Sequence, residues 1–406
     1  MTTETAPRTA SDTPWPAGPP PQDYVIGHVR AVLADRIVDD AHIVVRRGRI
    51  AEIGTGPRPC DLDGHGLLAL PGIIDVHSDA LERERSPRPS AVLPWDFALT
   101  SFEGRISGAG ITTMFHGAGF QHKHARGVKR EPSAALELCH AVDEHSHAVV
   151  DHRVLHRLDV LSELGAQTLR TRLDEVADDP TAGVPLVSHE DHTPGQGQYV
   201  DPSHLVTYMV GADGTSEEDA WAQVEKMRAE GETHDHIRTA NLAWLGRLAR
   251  EGRIRLMGHD PDSPDAIDAL VERGVTVAEF PTTMAAAERA RECGLLTVAG
   301  APNLMRGRSH AGNVSALELA RRGLLDALAS DYLPTALLGA VSVAAPEIGL
   351  PAAVGLITDG PARVAGLEDR GRLEPGARAD LVLVSDSTGP WLRVARTLPA
   401  NAGTGR

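Results

Sequence analysis

Eight short aliphatic runs in the middle of the chain, separated by helix-like stretches, restrict its fold more than any other feature. The runs cover 73–77, 111–116, 153–160, 184–189, 254–258, 275–280, 295–300 and 327–331. Between them lie segments of helical periodicity, among them 133–147, 217–230, 236–251, 264–273, 284–293 and 314–323. Such alternation builds a parallel sheet with helices outside it, and about eight repeats favour closure into a (β/α)8 TIM-like barrel. Aromatic residues are only 3% of the chain against 41% hydrophobic residues overall, so the core must be aliphatic.

Shorter β patterns flank this region. "AHIVVRRGRIAEIG" reads as two strands joined by a turn at Arg47-Gly48, and "GRLEPGARADLVLVS" as a Pro-Gly turn leading into a strand. The expected organisation is a small β-sandwich domain formed by both chain ends (23–70 plus 360–395) around a barrel at 71–359. Residues 1–22, with Pro14, Pro16, Pro19, Pro20 and Pro21, read as a disordered tail.

Polar residues fall where the aliphatic runs end. His77 and Asp79 follow the first run, His116 the second, His156 and Asp159 lie in the third, and "SHEDH" (Ser188 to His192) closes the fourth. His259 and Asp260 follow the fifth run, and Asp331 the last. Barrels of this type carry their active sites at the C-terminal strand ends. Six strands are therefore expected to aim imidazoles and carboxylates at one mouth.

His77 and Asp79 are two residues apart, so on an extended strand they share a face and can reach one cation. Imidazole with carboxylate suits one or two divalent ions, Zn2+ first, with Mn2+ or Fe2+ as alternatives. Asp331 can bind metal and also accept a proton from an acidified water, or else it is a loop cap. His259 is a ligand or a core histidine, with Asp260 as its orienting acceptor or as a helix cap. In the fourth run His192 is favoured as ligand and His189 as an outer support. Asp159 is the candidate for a carboxylate bridging two ions, or else a strand-end salt bridge.

A second segment, "APNLMRGRSHAGNVSALELA", gathers Arg306, Arg308, Ser309, His310 and Asn313 beside glycines and ahead of a helix near 314. Backbone N–H groups and guanidinium forks in such a loop can hold phosphate oxygens, although a polar crossover loop has the same composition. The net charge of −16 disfavours nucleic acid and anionic membranes as partners, and a small phosphorylated substrate requires a local pocket that opposes the field. Three scattered cysteines and the absence of a signal-peptide layout place the chain in the cytoplasm by expectation. Self-association into a homo-oligomer is left open.

These residues resemble the amidohydrolase superfamily over roughly 24–390, although that superfamily usually has H-x-H where this chain has His77-x-Asp79. Within it the chain is similar to the phosphonate-metabolism diphosphatases. The shared strings are His77-x-Asp79 with Leu81-Glu82, "DHTPGQ" (Asp191 to Gln196), "EFPTT" (Glu279 to Thr283), the Gly300 to Ala316 segment, and "SDYLP" (Ser330 to Pro334). The resemblance implies hydrolysis of α-D-ribose 1-methylphosphonate 5-triphosphate to the 5-phosphate and pyrophosphate. It implies that His77, Asp79, His192, His259 and Asp331 bind metal or lie close to it, and that the Arg306 to Asn313 segment faces phosphates. The departures are Arg157 and Asp159 where the family has an Arg-x-Glu pair, the "SHEDH" lead-in, and "GHDPD" with its second acid displaced to Asp262. The alternatives are an amidohydrolase acting on a small polar substrate (a deacetylase, cyclic amidase or deaminase) and a barrel that has lost catalysis.

Overall fold

The computed structural model describes residues 20–400 apart from 89, 122, 126–127, 146–148, 180–182, 310–311 and 388. Almost all of the proline-rich tail, and His310, therefore lie outside the described residues.

The eight aliphatic runs form eight parallel strands in sequence order: Ile73–Ser78, Ile111–Phe120, Asp151–Asp159, Leu186–Glu190, Arg255–His259, Val277–Glu279, Leu296–Gly300 and Ala327–Ala329. We number them as barrel strands one to eight. The ring closes where Ser78 bridges Asp331: Asp331 N–H donates to His77 O (3.0 Å) and Asp79 N–H donates to Asp331 O (2.7 Å).

Two aliphatic layers hold the barrel. The interior is filled by Ile74, Val76, Phe115, Leu155, Leu186, Met257, Val277 and Val298, with Ala362 and Val364 packed beneath them. The outer layer buries Met114, Leu158, Val187, Leu256, Ala278 and Ala299 against the surrounding helices. Alternate residues of each strand thus enter different layers. Several helices start on side-chain caps: Ser162, Ser216, Ser263 and Thr283 each accept the N–H three residues on.

Both chain ends form a separate seven-stranded mixed sheet, built on Tyr24–Val32, Ile37–Arg46, Arg49–Thr55, Leu68–Pro71, Leu381–Ser385 and Arg393–Leu398, with Leu62–Asp63 beside the first. The Arg47-Gly48 turn has positive φ at both residues (50° and 70°), as a two-residue hairpin linking right-twisted strands requires. The helix Asp359–Ala365 packs under the barrel interior rather than in this sheet, so the C-terminal return begins later than residue 360. That helix blocks the N-terminal end of the barrel and leaves the opposite mouth as the way in. Among the described residues no helix is long and apolar enough to cross a membrane.

Candidate metal centre

Local pattern alone would misplace His77. Ile74 and Val76 both face the barrel interior, so unbroken alternation would turn His77 outward. The register with strand two shifts between Asp75 and Ser78, and this bulge re-aims His77 into the mouth. There His77 Nδ1 lies 2.7 Å from Glu279 Oε1, and His259 Nδ1 lies 2.7 Å from Glu279 Oε2. Ser188 Oγ donates to the same Oε2 at 2.6 Å. One fully buried carboxylate thus holds two imidazoles by the same ring nitrogen. It leaves His77 Nε2 3.8 Å from Asp79 and His259 Nε2 3.5 Å from Asp260. The two rings stack with centroids 5.9 Å apart, and Phe280 packs against both.

Two groups of donors result. His77, Asp79 and Asp331 offer atoms within 4.8 Å of one another, and so do His192, His259 and Asp260. His192 reaches the second group because strand four ends at Glu190 and the chain turns, setting its ring edge-on to His259. Asp260, Phe280 and Asp331 end strands five, six and eight with φ of 53°, 55° and 58°. Non-glycine residues in that region are strained, and three of them at one mouth mark a constrained site.

The remaining sequence expectations divide. Asp260 faces Nε2 of His259, whereas the acceptor that orients the ring is Glu279, so the orienting role assigned to Asp260 is corrected. Glu279 was the residue missed as a site group, although its position at the end of a Val-Ala run, like that of His259, was a usable signal. His189 is buried on the other face of strand four, because its neighbours Ser188 and Glu190 point inward to Glu279 and Arg157. Burial pushes its imidazole down to about 4, with Arg273 and His259 adding to the effect. Asp159 accepts from Leu161 N–H (3.1 Å) and belongs to none of the donor groups among the described residues. The acid beside it that reaches the mouth is Glu190, which bonds Arg157.

His116 and His156 do not reach the mouth at all. Strand two runs on to Phe120, which leaves His116 in mid-strand against Phe102, and His156 packs on Phe120 beneath Arg172. The six-strand convergence is therefore carried by strands one, four, five, six and eight, with Arg157 from strand three. Arg157 bonds Asp79 and Glu190.

The phosphate segment also differs from expectation. Residues Ala301–Arg306 are already a helix, and Arg306 Nε donates back to Pro302 O at 3.1 Å in its last turn. Arg306 and Arg308 are exposed, Ser309 and Asn313 are half-buried, and the next helix starts only at Ala316. Pro302, inside the first helical turn, is compatible with helix, so the loop begins only after Arg306 and carries Arg308, Ser309 and Asn313. The segment follows strand seven on the mouth side of the barrel. A cap lies near strand five: helices Pro202–Asp213 and Glu217–Thr233 share a small core of Leu205, Val206, Met209, Ala220 and Val224. The loop ahead of them reaches the site through Gly197 N–H, which donates to Asp262 at 2.8 Å.

Electrostatics test whether a cation fits. Asp79, Glu190, Asp260, Glu279 and Asp331 gather at the mouth, where Arg157 bonds Asp79 and Glu190. Burial raises Glu190, but Arg157 outweighs it and holds the carboxyl at about 2. Burial likewise raises Glu279, and the His77 and His259 charges reverse this to well below the carboxylate range. Asp260 has no such compensation: burial pushes it up to about 6 against the pull of His259, with Glu279 and Glu190 adding to the rise. Its Oδ2 is buried with no hydrogen bond among the described residues. Burial and Asp79 raise Asp331 in the same direction. Crowded, under-neutralised acids beside imidazole nitrogens are what a divalent ion of the Zn2+, Mn2+ or Fe2+ type satisfies.

A pH dependence of metal uptake follows. Burial lowers His259, but Asp260, Glu190 and Glu279 together raise it to about 10, so it holds a proton at neutral pH in the metal-free protein. Asp260 holds one below about 6. An ion must displace both, so affinity is expected to rise with pH. Calorimetry in buffers of different ionisation enthalpy should count more protons released at about pH 5 than at about pH 8. A count that does not change with pH would contradict this.

Strand two contributes by lacking a side chain. A Cβ on Gly117 would stand 2.7 Å from Asp79 Oδ1 and 3.0 Å from Arg157 Cδ. Gly117→Ala should leave the barrel folded but push Asp79 and Arg157 apart, at a cost of about 1–3 kcal/mol. Zinc titration with thermal melting would check this, the expected result being weaker zinc binding and a lower Tm.

Comparison with known proteins agrees with this architecture. The family described as "Amidohydrolase family" matches residues 318–395. The alpha-D-ribose 1-methylphosphonate 5-triphosphate diphosphatase of Escherichia coli (strain K12) is 34% identical over 369 residues, covering 88% of this chain and 94% of that protein. Among solved structures, 5-methylcytosine deaminase from Klebsiella pneumoniae, liganded with 5-fluorocytosine, superposes with a TM-score of 0.60 at 15% identity, over 93% of this chain and 96% of that one. Dihydropyrimidinase from Brevibacillus agri NCHU1002 gives a TM-score of 0.56 at 13% identity over 94% of each chain. These two show a shared fold.

Proposed function

Because the chain belongs to the amidohydrolase superfamily of metal-dependent hydrolases, in the family of the ribose methylphosphonate triphosphate diphosphatase, we propose that it releases pyrophosphate from α-D-ribose 1-methylphosphonate 5-triphosphate or a closely related phosphorylated sugar. The observation that carries the reading at the site is the Glu279 clamp, which presents His77 and His259 to the two acid groups completed by Asp331 and Asp260.

His77, Asp79, His192, His259 and Asp331, with Asp260, would hold one or two ions, zinc being the best fit to this donor set. A bound divalent ion supplies acidified water and neutralises phosphate charge. The need for it is clear from the charges: five carboxylates at the mouth would otherwise repel a polyphosphate. Asp331 is the group that takes the water's proton. Its raised carboxyl pKa, caused by burial and then by Asp79, brings it closer to the proton it must accept. Arg157 is committed to Asp79 and Glu190, so it fixes the acids in place rather than gripping substrate. Arg306, at the end of the helix after strand seven, and Arg308, Ser309 and Asn313, between that helix and the next, would take the leaving phosphates, as guanidiniums suit phosphate oxygens.

The test is phosphorus NMR of the triphosphate incubated with purified protein. The expected products are pyrophosphate and the 5-phosphate in equal amounts, stopped by a chelator and restored by added zinc. Release of single phosphates, or none, would overturn the reading.

A further inference from the structure

Away from the mouth, a second set of metal-type donors meets on the outer face of the barrel. His152 lies near the start of strand three, Glu103 in the helix Trp95–Gly108, and His145 directly after the helix Pro132–Glu144. One donor atom from each lies within 4.8 Å of the other two. His152 is packed edge-on to His145, with ring centroids 5.3 Å apart and planes at 81°. Its Nε2 stands 3.6 Å from Glu103 Oε1. The His152 side chain is 2% exposed and that of Glu103 13%. Among the described residues neither His152 Nε2 nor His145 Nε2 makes a hydrogen bond, although both atoms are buried.

Two buried imidazole nitrogens without hydrogen bonds among the described residues, beside one carboxylate, call for an explanation, because such groups are nearly always satisfied. Glu103 is already fixed by the N–H groups of Val149 and Val150, the second at 2.8 Å. His152 is fixed from behind: its Nδ1 lies 2.7 Å from His116 Nε2, and the two rings stack at 5.1 Å. A histidine whose Nδ1–H donates to an acceptor presents its Nε2 lone pair outward, the arrangement that supports metal ligation. The mid-strand position of His116, which removes it from the mouth, gives it this supporting role.

We propose that His145, His152 and Glu103 form a second, structural metal site for a zinc-type divalent ion, with His116 orienting His152 and water completing the coordination. Two imidazoles and a carboxylate are a zinc-type donor set. Tetrahedral donors about 2 Å from zinc stand roughly 3.3 Å from each other, close to the spacing between His152 and Glu103. His145, at a helix end, is free to close the remaining gap. The ion would tie two outer helices to strand three. It would lie at the opposite end of that strand from the mouth, since the seven residues from His152 to Asp159 span about 23 Å. The proposal does not depend on the reading of the mouth.

The test uses the full chain with both donor groups of the mouth disabled by His77→Asn, His259→Asn and Asp331→Asn, and measures bound metal after dialysis against micromolar zinc. One equivalent of zinc is expected to remain. Adding His145→Gln or Glu103→Gln should weaken it about 100-fold or more. Cobalt in place of zinc should give the visible absorption of a tetrahedral N/O site, which the same substitutions abolish. His145 is half-exposed, so its variant should fold, and circular dichroism checks this. No zinc retained by the mouth-disabled chain, or retention unaffected by both substitutions, would overturn the proposal.

Discussion

Replacing Asp331 by Asn is expected to lower kcat for pyrophosphate release by roughly a thousandfold, the range lost with a positioned proton acceptor, while KM changes little. The substitution is conservative in shape. Asn tolerates the positive φ of 58° that Asp331 adopts, and the backbone bonds to His77 and Asp79 involve no side-chain atom. The charge is what is lost. Burial and Asp79 raise the Asp331 carboxyl in the folded protein, so its ionisation costs stability as pH rises through the folded pKa and none below the unfolded one. The metal-free variant should therefore melt no lower than the parent at about pH 7. Kinetics with saturating zinc, together with a melt in chelator, check both halves. A variant retaining more than about a tenth of the activity would remove Asp331 from proton transfer.

Glu279→Gln should have the largest effect on metal binding. Each carboxylate partner behind a metal-ligating histidine is worth about 10–100-fold in affinity, and Glu279 supports two histidines at once. An amide offers a single oxygen acceptor, so one of His77 and His259 must face an NH2 group. The expected loss in zinc affinity is about 100-fold or more. The metal-free protein should also lose about 1–3 kcal/mol of stability, because a buried imidazole N–H is left without its acceptor, while Asp260 and Glu190 still face the His259 ring. Zinc competition titration and denaturant unfolding measure the two effects. Ser188→Ala, which removes only one bond to the same carboxylate, should cost much less. Equal effects of the two substitutions would show that Glu279 does not act as the clamp.

Local information and tertiary information can be separated in this chain. Where each barrel strand runs was legible, because an aliphatic run bounded by turns is a short-range pattern that burial in two layers demands. That His77, Asp79, His259 and Asp331 gather at one end was legible too, since parallel strands in a ring present all their C-terminal ends together. The facing of individual side chains was not. His116 and His156 occupy the same kinds of runs as His259, yet both turn to the helices, and His77 enters the mouth only because a bulge resets the alternation of strand one. The choice of Glu190 over Asp159, and of Glu279 over Asp260 as the partner of His259, likewise depended on neighbouring strands. A side chain's height along a strand follows from its own segment. The layer it enters follows from register, bulges and ring closure, which are fixed by hydrogen bonds to residues far away in the chain.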